Sequence, residues 1–81
     1  MSERFACQCC GFLTLPEPSP GTFFICPVCG WEDEYLQERV DWILGPNPVS
    51  LWEARKNFLA FGAADRESLP RVRPPRDDER P

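Results

Sequence analysis

Two copies of one short pattern, CQCCG at residues 7–11 and CPVCG at 26–30, govern what this 81-residue chain can become. A Cys-x-x-Cys spacing lets both sulfurs of a tight turn point at one ion, and two such turns make a tetrahedral four-thiolate site. Cys7, Cys10, Cys26 and Cys29 are therefore the candidate metal ligands. Gly11 and Gly30 close the two patterns and permit the positive φ needed where the chain turns away from the ion. Pro27 pre-sets φ at the first spacer position of the second turn. Only 15 residues separate Cys10 from Cys26, so the two turns end one short connection.

A chain this short has room for one domain and buries only about 60% of its unfolded surface, so its core alone is marginal. A structural metal offsets that weakness. Its binding free energy, on the order of 10 kcal/mol or more in small zinc peptides, is also folding free energy. Zinc is the first choice for four thiolates, and iron is the alternative occupant. The opening residues contain no apolar h-region, and no run of roughly 20 apolar residues occurs, so a cytoplasmic protein free of the membrane is expected. Five cysteines, an odd number with metal-type spacing, argue against a disulfide framework. Thirteen acidic residues against nine basic ones leave a net charge of −4, which disfavours a phosphate backbone as partner.

Along the chain, the metal segment comes first, at residues 4–30. FLTL (12–15) and TFFI (22–25) flank the proline- and glycine-rich PEPSPG (16–21), which predicts a hairpin between the two Cys pairs with one chelating turn at each open end. Phe12, Phe23, Phe24 and Ile25 are then expected to cover the site. Residues 31–48 are less regular: they are expected to open with a helical turn and to break by Gly45-Pro46. A helix is predicted over 51–61. Ser50 is its N-cap with Glu53 completing a capping box, Val49 and Ala54 form a staple, and Gly62 sits at an αL stop. Leu51, Ala54, Phe58 and Phe61 share one face of that helix, which is expected to pack on the metal-bearing half. The segment 63–81 carries five arginines, five acids and four prolines, and residues 76–81 read as a disordered tail beyond a domain of residues 1–75.

The elements CQCCGFLTL, CPVCGWEDE, SLWEARKNFLAFGA and DRESLPRVRPP, in that order over about residues 5–75, resemble the bacterial cysteine-rich CPCC proteins. The resemblance informs fold more than activity. One departure is that the Cys-Pro-Cys-Cys of that family reads Cys-Gln-Cys-Cys here. Gln8 loses the pre-set φ of proline and keeps an N–H that can point at a sulfur, so a slightly looser first turn is expected without loss of a ligand. Both turns are also similar to the chelating turns of rubredoxins, whose two Cys pairs usually lie further apart.

Several other residues invite a functional reading. Cys9 cannot easily share a chelating turn with Cys10, so a small buried residue is expected; the sharper alternatives are a thiol made reactive by the metal site and a role as ligand in its own right. Glu32, Asp33 and Glu34 can do acid–base work or hold a hard cation, but with no histidine and no nucleophile beside them a solvated face is expected. Trp31 is expected over the second turn. Trp52 lies one position off the apolar helix face, and a core placement is expected ahead of an exposed binding anchor. Trp42 completes the set. Arg55 is expected to pair with an acid such as Asp33 or to face a partner, and Asn57 lies on the same helix.

These readings converge on a small α+β metal-stabilised domain, a zinc-ribbon-like hairpin packed on one C-terminal helix. A four-thiolate zinc has no open position and the chain has no histidine, so no enzyme and no small-molecule substrate are expected. The expected role is a macromolecular interaction module with a protein partner, of the kind in which small acidic proteins act as inhibitors or immunity partners of basic toxins. A rubredoxin-like iron electron carrier and a nucleic-acid-binding zinc ribbon are the alternatives.

Overall fold

The computed structural model describes residues 3–34 and 46–81. The segment 31–48, expected to open with a helical turn, opens extended instead over its described residues 31–34, because Glu32 and Asp33 pair with 23–25; its continuation to Gly45, with Trp42, lies outside the described residues. Strand β1 (Phe5–Ala6) pairs antiparallel with β2 (Leu13–Leu15), Phe5 opposite Leu15 and Ala6 opposite Leu13, with an irregularity between Phe5 and Ala6. The two-stranded hairpin therefore wraps the first Cys turn. This corrects the expected pairing of 12–15 with 22–25 across the proline-rich loop. Residues 22–25 run instead against 31–33: Ile25 bridges Glu32, Phe23 N–H donates to Asp33 O at 2.9 Å, and Asp33 N–H donates to Phe24 O at 3.0 Å. Each Cys turn is the tip of its own small hairpin. The physical reason is local: in each Cys turn the glycine N–H donates to the first cysteine's carbonyl and reverses the chain, which sets its flanks side by side, whereas three of the six residues at 16–21 are prolines with no N–H to close a turn.

Helix α1 spans Leu51–Phe61, as predicted. Ser50 is extended at φ −69° and ψ 164°, and its hydroxyl accepts from Glu53 N–H at 3.1 Å. Gly62 ends the helix in the left-handed conformation at φ 87°, its N–H donating to Phe58 O at 2.9 Å. Leu51 and Ala54 are buried, and Phe58 packs against the same core at its edge, with Phe12 meeting the Phe58 ring edge-to-face at 6.2 Å between centroids. The core joins this helix face to Cys7, Cys9, Leu15, Cys26, Val28, Cys29 and Trp31. Phe61 stands apart, half-buried under the Arg66 guanidinium, 4.6 Å from its ring centroid. Trp52 is 60% exposed, with Lys56 Nζ 4.4 Å from its ring, so the expectation that it joins the core is corrected. Position 52 is adjacent to 51 on the helix, and a 100° step carries it out of the 51–54–58 stripe.

Beyond α1 the chain folds back over the second Cys turn. A 3-10 segment at Arg66–Arg71 is capped by Asp65, whose carboxylate accepts from Ser68 N–H at 2.8 Å. The predicted disordered tail is instead ordered. Asp77–Glu79 form a second 3-10 turn, and Glu79 is 2% exposed. Its carboxylate takes a two-pronged bond from Arg73 at 2.9 and 2.7 Å, a bond from Arg76 N–H at 2.8 Å, and an ion pair with Arg4 at 3.6 Å. Composition pointed to disorder, but a fork-shaped guanidinium meeting a carboxylate is a specific geometry that a charge count does not register.

Candidate metal centre

Each Cys turn is closed by the same bond. Gly11 N–H donates to Cys7 O and Gly30 N–H to Cys26 O, both at 2.8 Å, and both glycines are left-handed, at φ 82° and 86°. The first turn is thus as tight as the second, and the looser turn expected from Gln8 is not found. The N–H of Gln8 meets no sulfur among the described residues. Its carbonyl does find a partner in Arg55, which donates through Nε at 2.8 Å, so Arg55 ties α1 to the first Cys turn and does not pair with Asp33. Asn57 donates to Ala64 O at 2.9 Å and holds the chain after the helix.

Together the two turns gather four sulfurs. Cys7, Cys10, Cys26 and Cys29 place their Sγ atoms within 4.8 Å of one another, with Cys7 to Cys29 at 3.6 Å and Cys10 to Cys26 at 3.7 Å. A tetrahedral zinc with Zn–S bonds of about 2.3 Å separates its sulfurs by about 3.8 Å, so this donor set is positioned to bind a metal ion of that size. The sulfurs are also met by donors that suit thiolates: the Thr14 hydroxyl stands 3.1 Å from Cys26 Sγ, and Trp31 N–H donates to Cys29 Sγ at 3.4 Å. Three of the four cysteines are buried, and Cys10 is half-buried. Cys9 is buried in the adjoining core and stands outside the four-sulfur group, in keeping with a packing residue.

Without a cation, four such sulfurs cannot all ionise. Hydrogen-bond contact with the sulfur of Cys10, then with those of Cys29 and Cys7, drives Cys26 far below the ordinary thiol range. The same crowding drives Cys29 far above it, chiefly through Cys10, and drives Cys10 up chiefly through Cys26. A divalent charge at the centre is what allows four thiolates to coexist there.

The acidic run after the second turn divides. Asp33 is 1% exposed and accepts from the Ser19 hydroxyl and from Thr22 N–H at 2.9 Å, so it is a structural anchor for the 19–24 loop and not part of a solvated face. Glu32 and Glu34 are half-buried. Trp31 is fully buried beside the second turn, as expected. The apolar cover expected over the sulfurs fails for three of its four residues, since Phe23, Phe24 and Ile25 face solvent and only Phe12 packs inward. Sequence reasoning also missed Thr14 at the sulfurs, and it missed Asn47. The Asn47 side-chain amide grips both backbone groups of Glu32, accepting from its N–H and donating to its carbonyl, each at 2.8 Å. An asparagine between Pro46 and Pro48 was the available signal for that clamp.

The sequence profile of the cysteine-rich CPCC family matches residues 5–79, nearly the whole chain, and the chain belongs to that family. The match runs through the ordered tail and stops at Glu79, the residue that Arg73 and Arg4 hold. No curated protein matches the sequence significantly.

Proposed function

We propose that this protein is a zinc-dependent interaction module: a four-thiolate zinc holds a small scaffold whose surface binds another protein and which turns over no substrate. The carrying observation is a pairing of features. A ligand set of four sulfurs fills a tetrahedral coordination sphere, leaving no position for water or substrate. On the same chain large apolar side chains stay in solvent, Phe23 at 64% and Leu59 at 86% exposure among them. The formal charge of −4 favours a cationic partner over a nucleic acid.

The test isolates the protein from its native host and measures metal and partner together. One zinc per chain with a co-purifying protein in stable ratio is the expected result. Zinc-dependent turnover surviving rigorous purification would sink the reading. The half-buried edge at Cys10 favours one other function, electron transfer through iron in the same cage. Native protein would then absorb in the visible and bleach on reduction, whereas the zinc form is colourless.

A further inference from the structure

We infer that the ridge Phe23–Ile25, together with the cleft beside Ile25, is the docking surface for a cationic protein segment carrying arginine or lysine next to apolar side chains. The inference rests on the interaction-module reading and names the class of partner.

Three observations meet at this place. The first is exposure: Phe23, Phe24 and Ile25 are consecutive, and all three are exposed, where a strand laid on a core would bury alternate residues. The second is backbone conformation. Phe23 sits at φ 61°, in the left-handed region that an aromatic residue seldom adopts. That conformation is held from outside by the bond from Phe23 N–H to Asp33 O and by the buried Asp33 carboxylate, which takes Thr22 N–H and the Ser19 hydroxyl. The surrounding structure therefore fixes a ridge that presents its rings to solvent, and a preformed ridge loses little entropy when a partner covers it.

The third observation is charge. Ile25 lines a cleft of about 390 Å³ whose other walls include Pro27, Val72 and the carboxyl-bearing Glu32, Asp65 and Glu67, with Arg71 as the one guanidinium among the described lining residues. Asp65 is committed to Ser68 N–H, while the carboxylates of Glu32 and Glu67 carry no hydrogen bond or ion pair among the described residues. Apolar walls beside two unengaged carboxylates match the stem and head of an arginine or lysine side chain. The net charge of the chain, −4, points the same way.

The experiment uses the full metal-loaded chain and a fluorescein-labelled peptide of alternating arginine and leucine, with an alternating glutamate–leucine peptide of equal length as control. The arginine peptide is expected to bind with an affinity that falls as salt rises, and the glutamate peptide is expected not to bind. The double variant Glu32→Gln/Glu67→Gln should weaken binding by about tenfold at low salt, a difference that shrinks at high salt. Ile25→Ser should weaken it at every salt concentration, and Trp52→Ala should leave it unchanged. Metal content and circular dichroism show that each variant is folded. Absence of binding, equal binding of the two peptides, or unchanged binding by the double variant would overturn the assignment. A native partner whose capture depends on Trp52 but not on Ile25, Glu32 or Glu67 would overturn it too, while leaving the interaction-module reading intact.

Discussion

Replacing Glu79 by glutamine keeps the shape of a buried side chain and removes its charge, so it asks whether the C-terminal segment belongs to the fold. In the native protein the carboxylate accepts two bonds from Arg73, at 2.9 and 2.7 Å, and one from Arg76 N–H at 2.8 Å. The amide puts an NH2 group against a guanidinium, so at least one charge-assisted bond is lost and the rest weaken. Each such bond contributes about 1.5–3 kcal/mol. Arg73 and Arg4 keep 32% and 37% of their side-chain surface in water, which lets both guanidiniums rehydrate and sets the expectation near 2 kcal/mol, below the roughly 3–5 kcal/mol of a fully buried pair. Urea unfolding of the metal-loaded chains at neutral pH measures it, provided both share one m-value. The pH dependence supplies a second check. Arg73 holds the Glu79 carboxyl down at about 2, below its ordinary 4.5. A depressed carboxylate contributes its stability in full above about pH 4.5 and loses it as pH falls towards 2, so the gap between the two chains should close across that window. Acid also protonates the thiolates and releases metal, but it does so in both chains, and the difference between them cancels that loss. Equal stability of the two chains at neutral pH would refute the reasoning and return residues 76–81 to a tail that packs on nothing.

Cys26→Ser should abolish stoichiometric metal binding and most of the folded population, whereas Cys9→Ser should keep one metal per chain; native mass spectrometry reads both, and the reverse pattern would move the ligand assignment. Phe58→Ala should destabilise by about 3 kcal/mol, the low end for a phenylalanine, because this ring is only half-buried, while Trp52→Ala should stay within about 0.5 kcal/mol in the same urea assay. Gly30→Ala should be far worse than Gly11→Ala. Both glycines are left-handed, but a Cβ at Gly30 would sit 2.5 Å from the Ser68 side chain, and at Gly11 it would meet nothing within 4 Å. Equal losses at the two glycines would show that Ser68 moves aside freely.

What could be read in the sequence was what depends on near neighbours. The N-cap at Ser50, the stop at Gly62 and both chelating turns are decided within four or five residues, and each stands where the pattern places it. The strand pairing was misread because the apolar runs 12–15 and 22–25 carry no label for their partners; each finds the strand across its own Cys turn and not the other. Asp33, Asn47 and Glu79 escaped for a different reason. A charged or amide side chain is normally solvated, and its burial depends on donors distant in sequence: Ser19 and Thr22 for Asp33, the backbone of Glu32 for Asn47, and Arg4 together with Arg73 for Glu79. Trp52 was weighed by composition, since tryptophan in a small domain is mostly core, yet its angular position on α1 already placed it outside the buried stripe.

The second Cys turn is the point at which these parts depend on one another. Ala64 N–H donates to Cys29 O at 2.7 Å, Arg73 N–H donates to Pro27 O at 3.1 Å, and Ser68 leaves no room for a side chain at Gly30. Everything from the end of α1 to the Arg73–Glu79 clasp is therefore fastened to the five residues of the turn that carries Cys26 and Cys29. The 22–25 ridge is fastened to the same place, because Cys26 N–H donates to Trp31 O at 2.9 Å and carries the pairing onward through Ile25 and Glu32 to Asp33. A metal that closes the cage thus does more than join two turns. It would fix the register on both sides of Cys26–Gly30, and with it the position of the exposed ridge relative to the carboxylates at Glu32 and Glu67. In a chain this small, a metal turn placed between the ridge and the C-terminal clasp would let one binding event shape both sides of it.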